Sequence, residues 1–259
     1  MIKHVPRIIA AALIVAAACA MMIVYFTGED EMEKSLSAGS APVKIFRGEW
    51  VVLVHGLLSG PRALLPIEKE LVRNGYRVIS FRYDSRNQSI KSASEMLGRE
   101  IAHRIPAGAK RVHFVTHSLG TIIVRYHLAE STMKNQGRFV MIAPPNQGSS
   151  WGRTLVKNVP FFNYILGVAG RDVQHSPASR LPGPPPCEFG IIAGAMGNSY
   201  GLNPFIIGDN DGTIAVSETV LDGATDYLLV RGQHTLLLSR KDVIDNVVSF
   251  LGTGKFLFR

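Results

Sequence analysis

The stretch RVHFVTHSLGTIIVRYHLAE, Arg111 to Glu130, decides the fold. Arg111 to Thr116 is a short run rich in β-branched residues and reads as a strand. Leu119 to Glu130 reads as a helix. Only His117 and Ser118, the middle of Thr116-His117-Ser118-Leu119-Gly120, separate them, so the chain passes from strand to helix in a tight turn. A strand feeding a helix this directly is one unit of a parallel sheet with right-handed crossovers.

The same unit recurs on both sides. Upstream, Trp50 to His55 (WVVLVH) is a continuous apolar run, as expected of a parallel strand covered on both faces. Arg62 to Asn74 places Leu64, Leu65, Ile67, Leu71 and Val72 at helical spacing and ends on Asn74-Gly75 as a C-cap. Tyr76 to Tyr83 is the next strand, and Ile90 to Arg104 the next helix. Downstream, strands are expected at Arg138 to Ala143, Phe189 to Gly194 and Asp226 to Gly232, with a closing helix from Arg240 to Leu251. The pattern predicts an α/β domain on a mostly parallel six-stranded sheet with helices on both faces. Residues 144–188 break the alternation, being rich in glycine and proline and carrying apolar clusters such as Val159-Pro160-Phe161-Phe162. So long an interruption predicts a lid-like loop region.

Ligands of such sheets bind at the carboxyl ends of the strands, and Ser118 lies there. A strand-to-helix turn of the G-x-S-x-G kind lifts a serine hydroxyl above the sheet, and small flanking residues let the backbone bend. The helix start adds N–H groups and a dipole end that favour negative charge. The plain alternative is that Ser118 only caps the helix. Thr116 stands where the motif has glycine, so the turn must accommodate a β-branched side chain.

Acyl transfer builds negative charge on a carbonyl oxygen, which preorganised N–H donors stabilise. Leu119, directly after the serine, and Leu57, in the loop after the first strand, are the candidate donors. Among eight histidines, His234 sits in the loop Gly232-Gln233-His234-Thr235 between the last strand and the last helix, where it can take the proton of Ser118. His117 is expected to point away from the serine, His113 lies within a strand, and His103 and His127 lie within helices. The chain order serine, acid, histidine calls for a carboxylate between them. Asp211, in the loop GDNDGT, is the candidate, with Asp209 its chief competitor and Asp172 and Asp222 less well placed.

With these pieces in order, the sequence resembles the α/β-hydrolase superfamily, particularly its small bacterial serine lipases and esterases. The resemblance rests on HGLL (55–58), THSLG (116–120), APPNQGS (143–149), NDG (210–212) and GQH (232–234), and covers roughly Gly48 to Phe256. It implies an α/β-hydrolase fold with a lid-like insertion and a catalytic set of Ser118, Asp211 and His234. It also implies hydrolysis of carboxylic or thioester bonds in a small-molecule or lipid acyl substrate, with no metal or organic cofactor. A thioesterase or an acyltransferase uses the same three residues, and a non-catalytic binding module can retain the fold.

At the N-terminus, Lys3, His4 and Arg7 precede the uncharged apolar run Ile8 to Phe26, and the acidic stretch GEDEMEK follows it. The run is close to the ~20 residues that span a bilayer as a helix. Positive charge on the near side alone predicts a single-pass anchor in the cell membrane with the remainder outside the cytoplasm. The alternatives are a signal segment cleaved near Ala18-Cys19-Ala20, releasing a secreted protein, and lipid attachment at Cys19. Residues 1–26 then form the anchor or signal segment, 27–41 a polar tether and 42–259 the hydrolase-like domain. The net charge of +8 is dispersed along the chain, so nucleic acid is not an expected partner. Cys19 and Cys187 are too differently placed to pair, and neither has companions suggesting a metal site.

Overall fold

A computed structural model describes residues 45–175 and 181–257. The expected anchor (1–26) and tether (27–41) lie outside the described residues. Among the described residues no helix is long and apolar enough to cross a membrane.

Six strands form one sheet: β1 (Glu49–Val54), β2 (Arg77–Phe81), β3 (Arg111–His117), β4 (Gln136–Ile142), β5 (Phe189–Ala195) and β6 (Asp226–Arg231). Their spatial order is β2-β1-β3-β4-β5-β6, and every neighbouring pair is parallel. Each expected strand is present, with no end moved by more than two residues. The burial pattern explains why they were legible. Central β3 is buried from Val112 to His117, whereas edge strand β6 turns Leu228 and Val230 inward and Leu229 and Arg231 outward. From β1 the chain first adds β2 on one side, then crosses to β3 on the other. That reversal opens a crevice above the carboxyl ends of β1 and β3.

Helices cover both faces. A 3₁₀ turn (Pro61–Leu64) leads into α1 (Leu65–Arg73), followed by α2 (Ile90–Arg104), α3 (Leu119–Glu130), α4 (Ser150–Asn158), α5 (Phe162–His175), α6 (Val216–Thr219) and α7 (Lys241–Thr253). Successive side chains of a strand point to opposite faces, and the core divides accordingly. Val51, Leu53, Val115 and Val140 cluster with Ile67 and Leu71 of α1 and with Val243, Val247 and Phe250 of α7. Val52, Val54, Phe114 and Phe139 cluster with Ala93 and Leu97 of α2 and with Ile122 and Ile123 of α3.

The stretch expected to be loop, 144–188, contains two helices. Ser149 caps α4 by accepting a hydrogen bond from the amide of Gly152 (3.1 Å), and Trp151 and Leu155 supply its buried side. Gly167 kinks α5 with φ 67°, and a Cβ there would strike the backbone of Arg86. Helical spacing was hidden because glycines of this stretch serve close contacts with other segments, as Gly167 does against Arg86.

Two buried histidines couple stability to pH. His113 accepts a hydrogen bond at Nδ1 from the amide of Arg138 (2.9 Å), and His55 makes one from Nδ1 to the carbonyl of Gly56 (2.9 Å). Burial pushes the His113 pKa down to about 3 and that of His55 to about 4. His113 is therefore neutral near pH 7, and its 3.7 Å approach to Glu49 is a polar contact and not an ion pair. In the unfolded chain both histidines take up protons near the usual value of about 6.5. Above that value the folded state carries the full benefit. As pH falls toward 4 the unfolded state binds more protons, and stability declines by at most about 1.4 kcal/mol per pH unit per histidine. The urea midpoint is expected to be lower at pH 5 than at pH 7, and His113→Asn to flatten that decline. Equal midpoints at both pH values would contradict the assignment.

Candidate active site

Ser118 stands between β3 and α3 with φ 51° and ψ −124°, a conformation that costs a non-glycine residue energy and persists only where its surroundings enforce it. Its amide donates to the carbonyl of Ile142 in β4 (2.9 Å), and its carbonyl accepts from the amide of Thr121 (3.0 Å). The side chain makes no capping hydrogen bond to α3, so the plain helix-cap reading does not describe what it does.

Two neighbours make the sharp turn possible. Gly120 lies where α3 crosses the end of β1, and a Cβ there would meet the carbonyl oxygens of Val54 and His55. Thr116, which replaces the motif's first glycine, remains in the strand and is fully buried. Its hydroxyl pairs with that of Thr121 at 2.7 Å, joining β3 to the first turn of α3 across the bend.

The loop after β1 is braced by residues that sequence reasoning did not single out for the site. The hydroxyl of Tyr83 donates to the carbonyl of His55 (2.9 Å), and the rings of these two residues stack at 4.3 Å. Since a carbonyl can only accept, His55 Nδ1 carries the proton in its bond to Gly56 O. The trans peptide plane then directs the N–H of Leu57 opposite to that engaged carbonyl. The amide of Leu58 is taken by Ser85 Oγ (3.0 Å), while that of Leu57 has no acceptor among the described residues. Leu119 is the first residue of α3, where helical N–H groups have no partner within the helix.

On the other side of the crevice, His234 Nδ1 lies 2.7 Å from Asp211 Oδ2. Asp211 Oδ1 accepts the amides of Thr213 (2.9 Å) and Ile214 (2.8 Å), so this buried carboxylate is fully engaged. A carboxylate partner at Nδ1 leaves Nε2 as the bare, basic nitrogen. Asp209 does something different: it accepts the amides of Met196 (2.7 Å), Gly197 (2.8 Å) and Asn210 (2.9 Å) and shapes the loop after β5. Asp172 meets the amide of Ile90 at the start of α2, and Asp222 is exposed.

His117 has a partner that sequence reasoning did not connect to it. It packs against His234, with ring centroids 4.6 Å apart and its Nε2 3.2 Å from the His234 carbonyl, and it lines the same cavity. Burial holds its pKa well below the usual histidine value. Two further buried side chains tie the surroundings together without any local sequence signal. Glu218 accepts the amides of Ser150 and Ala215, linking the Asp211 loop to α4. Arg125 of α3 donates to Asn146 Oδ1 (3.0 Å) and to the carbonyl of Pro182.

Ser118 and His234 open onto one cavity of about 790 Å³ above the strand ends. Its walls are largely apolar and include Leu57, Trp151, Leu155, Phe162, Leu166 and Val173, several of them from α4 and α5. Among the described residues no group of three or more histidine, cysteine or acidic side chains is placed to hold a metal ion.

Residues 48–169 match the family model described as "Putative serine esterase (DUF676)". No curated protein matches the sequence. Among solved structures, the mature lipase BlEst2 of Bacillus licheniformis is 18% identical, with 84% of this chain and 97% of that one covered and a TM-score of 0.65. A lipase-esterase related protein from Clostridium acetobutylicum is 13% identical, covering 80% of this chain and 98% of that one, with a TM-score of 0.54. A Listeria innocua protein is 14% identical over 83% and 96%, with a TM-score of 0.51. At such identities the structural likeness establishes the fold alone, and the family model spans a little less than half of the chain. The chain has the α/β-hydrolase fold.

Proposed function

We propose that the chain is a serine hydrolase that cleaves carboxylic esters of apolar acyl groups through an acyl-enzyme. The observation that carries this reading is the buried Asp211–His234 hydrogen bond beside a strained Ser118, both opening on one apolar cavity. His234 Nε2 takes the Ser118 proton as Oγ bonds to the ester carbonyl carbon, and the amides of Leu57 and Leu119 receive the oxyanion. The bond to the alcohol then breaks, and His234 returns the proton to the departing oxygen. Water repeats the sequence on the acyl-enzyme, releasing the acid and restoring Ser118. Asp211 holds the imidazole tautomer throughout. The engaged Gly56 carbonyl and the Leu57 amide, which has no acceptor among the described residues, support the oxyanion assignment.

In this reading α4 and α5 form a lid whose inner surface is the acyl wall, and residues 8–26 anchor the domain to the membrane from outside the cytoplasm. An apolar wall rewards each buried methylene with about 0.8 kcal/mol, at most about fourfold in kcat/KM. A series of p-nitrophenyl esters of increasing chain length is therefore expected to show kcat/KM rising with length until the cavity is filled. A flat or absent response would favour a binding module over an acyl hydrolase.

A further inference from the structure

We infer that His117 is a positioning residue for the proposed reaction, holding His234 through a hydrogen bond from its Nε2–H to the His234 backbone carbonyl. The inference rests on the reading of Ser118 and His234 given above. The two atoms are 3.2 Å apart, and a carbonyl oxygen only accepts, so Nε2 is the protonated nitrogen of His117. Nδ1 is then bare, and it is buried without a partner among the described residues.

His234 is held at three points. Its amide donates to the Asp211 carbonyl (3.0 Å), its Nδ1 to Asp211 Oδ2 (2.7 Å), and its carbonyl accepts from His117. Two of these attachments go to the same residue, and alone they leave the base free to swing about Asp211. The third comes from the residue adjoining Ser118 and so ties the base to the nucleophile's own strand. The imidazole of His117 has little room to yield. It packs on the His234 ring on one side, and a Cβ built at Gly56 would lie 3.0 Å from its Nδ1 on another. Because burial keeps His117 neutral, it does not compete with His234 for the serine proton.

The test compares His117→Gln, whose side-chain amide can place an N–H near the Nε2 position, with His117→Leu, which fills similar space without a donor. The full-length chain is assayed with a p-nitrophenyl ester, alongside thermal melting and the low-field proton resonance of His234 Nδ1–H. His117→Leu is expected to lower kcat roughly ten- to a hundredfold with KM within about twofold, and to broaden the low-field resonance. His117→Gln is expected to recover most of the rate and the resonance at a similar melting temperature. Should the leucine variant fail to fold, His117→Asn, with an amide too short to reach the carbonyl, takes its place and shows the same loss. A donor-free variant with full activity, or a glutamine variant as impaired as the leucine one, overturns the inference. Ser118→Ala measured in parallel separates the two levels. Activity persisting there overturns the catalytic reading, whereas an inactive Ser118→Ala beside a fully active His117→Leu overturns only the role of His117.

Discussion

Ser118→Ala is expected to lower ester turnover by about 10⁴- to 10⁶-fold in kcat while the protein keeps its fold. The size follows from chemistry: without the hydroxyl there is no covalent intermediate, and the remaining N–H donors and cavity act only on a direct attack by water. The fold survives because the hydroxyl caps nothing, and the turn is held by the Ser118 amide on Ile142, by the Thr116–Thr121 hydroxyl pair and by the close seat of Gly120. Alanine at φ 51° carries about the same backbone cost as serine. Thermal melting should therefore hardly move. A variant keeping a tenth of the activity would remove Ser118 from the mechanism.

Asp211→Asn is expected to lower kcat by about 10⁴-fold at unchanged folding. An amide in place of the carboxylate can donate to His234 Nδ1, which shifts the imidazole proton to Nε2 and leaves no base facing the serine. The Thr213 and Ile214 amides still find an oxygen, so the loop keeps its shape. Asp209→Asn is expected to do the opposite. The two oxygens of Asp209 serve three backbone amides, and an asparagine offers only one oxygen. That change destabilises by about 1–3 kcal/mol and leaves kcat within about tenfold. Parallel assays and urea melts of the two variants read the contrast directly. Exchanged phenotypes would reassign the acid to Asp209.

The sheet was legible because its central strands are buried on both faces and therefore appear as unbroken apolar runs, as in Val51 to Val54 or Phe139 to Ile142. The positions of Ser118 and His234 beyond strand ends were legible because the strands and helices that flank them were. Other parts depend on contacts that no local pattern encodes. Asp209 and Asp211 share one turn and one chemistry, and only their distant surroundings tell them apart: His234 Nδ1 meets Asp211, whereas Asp209 meets backbone amides. Strand alternation separates the side chains of His117 and Ser118, but says nothing of the loop after β6, which arrives from more than a hundred residues away and presents His234 to His117. Tyr83, Glu218 and Arg125 likewise act through distant partners. The helices α4 and α5 were concealed by glycines such as Gly167, which serve contacts between segments that sequence spacing does not reveal.

The most direct measurement is labelling of the full-length chain with a fluorophosphonate probe, followed by mass spectrometry of the adduct. A single modified residue, Ser118, is expected, with labelling slowed by about 10³-fold or more in Asp211→Asn and absent in Ser118→Ala. An adduct on another residue, or undiminished labelling of Ser118→Ala, would contradict nucleophilic catalysis at this turn.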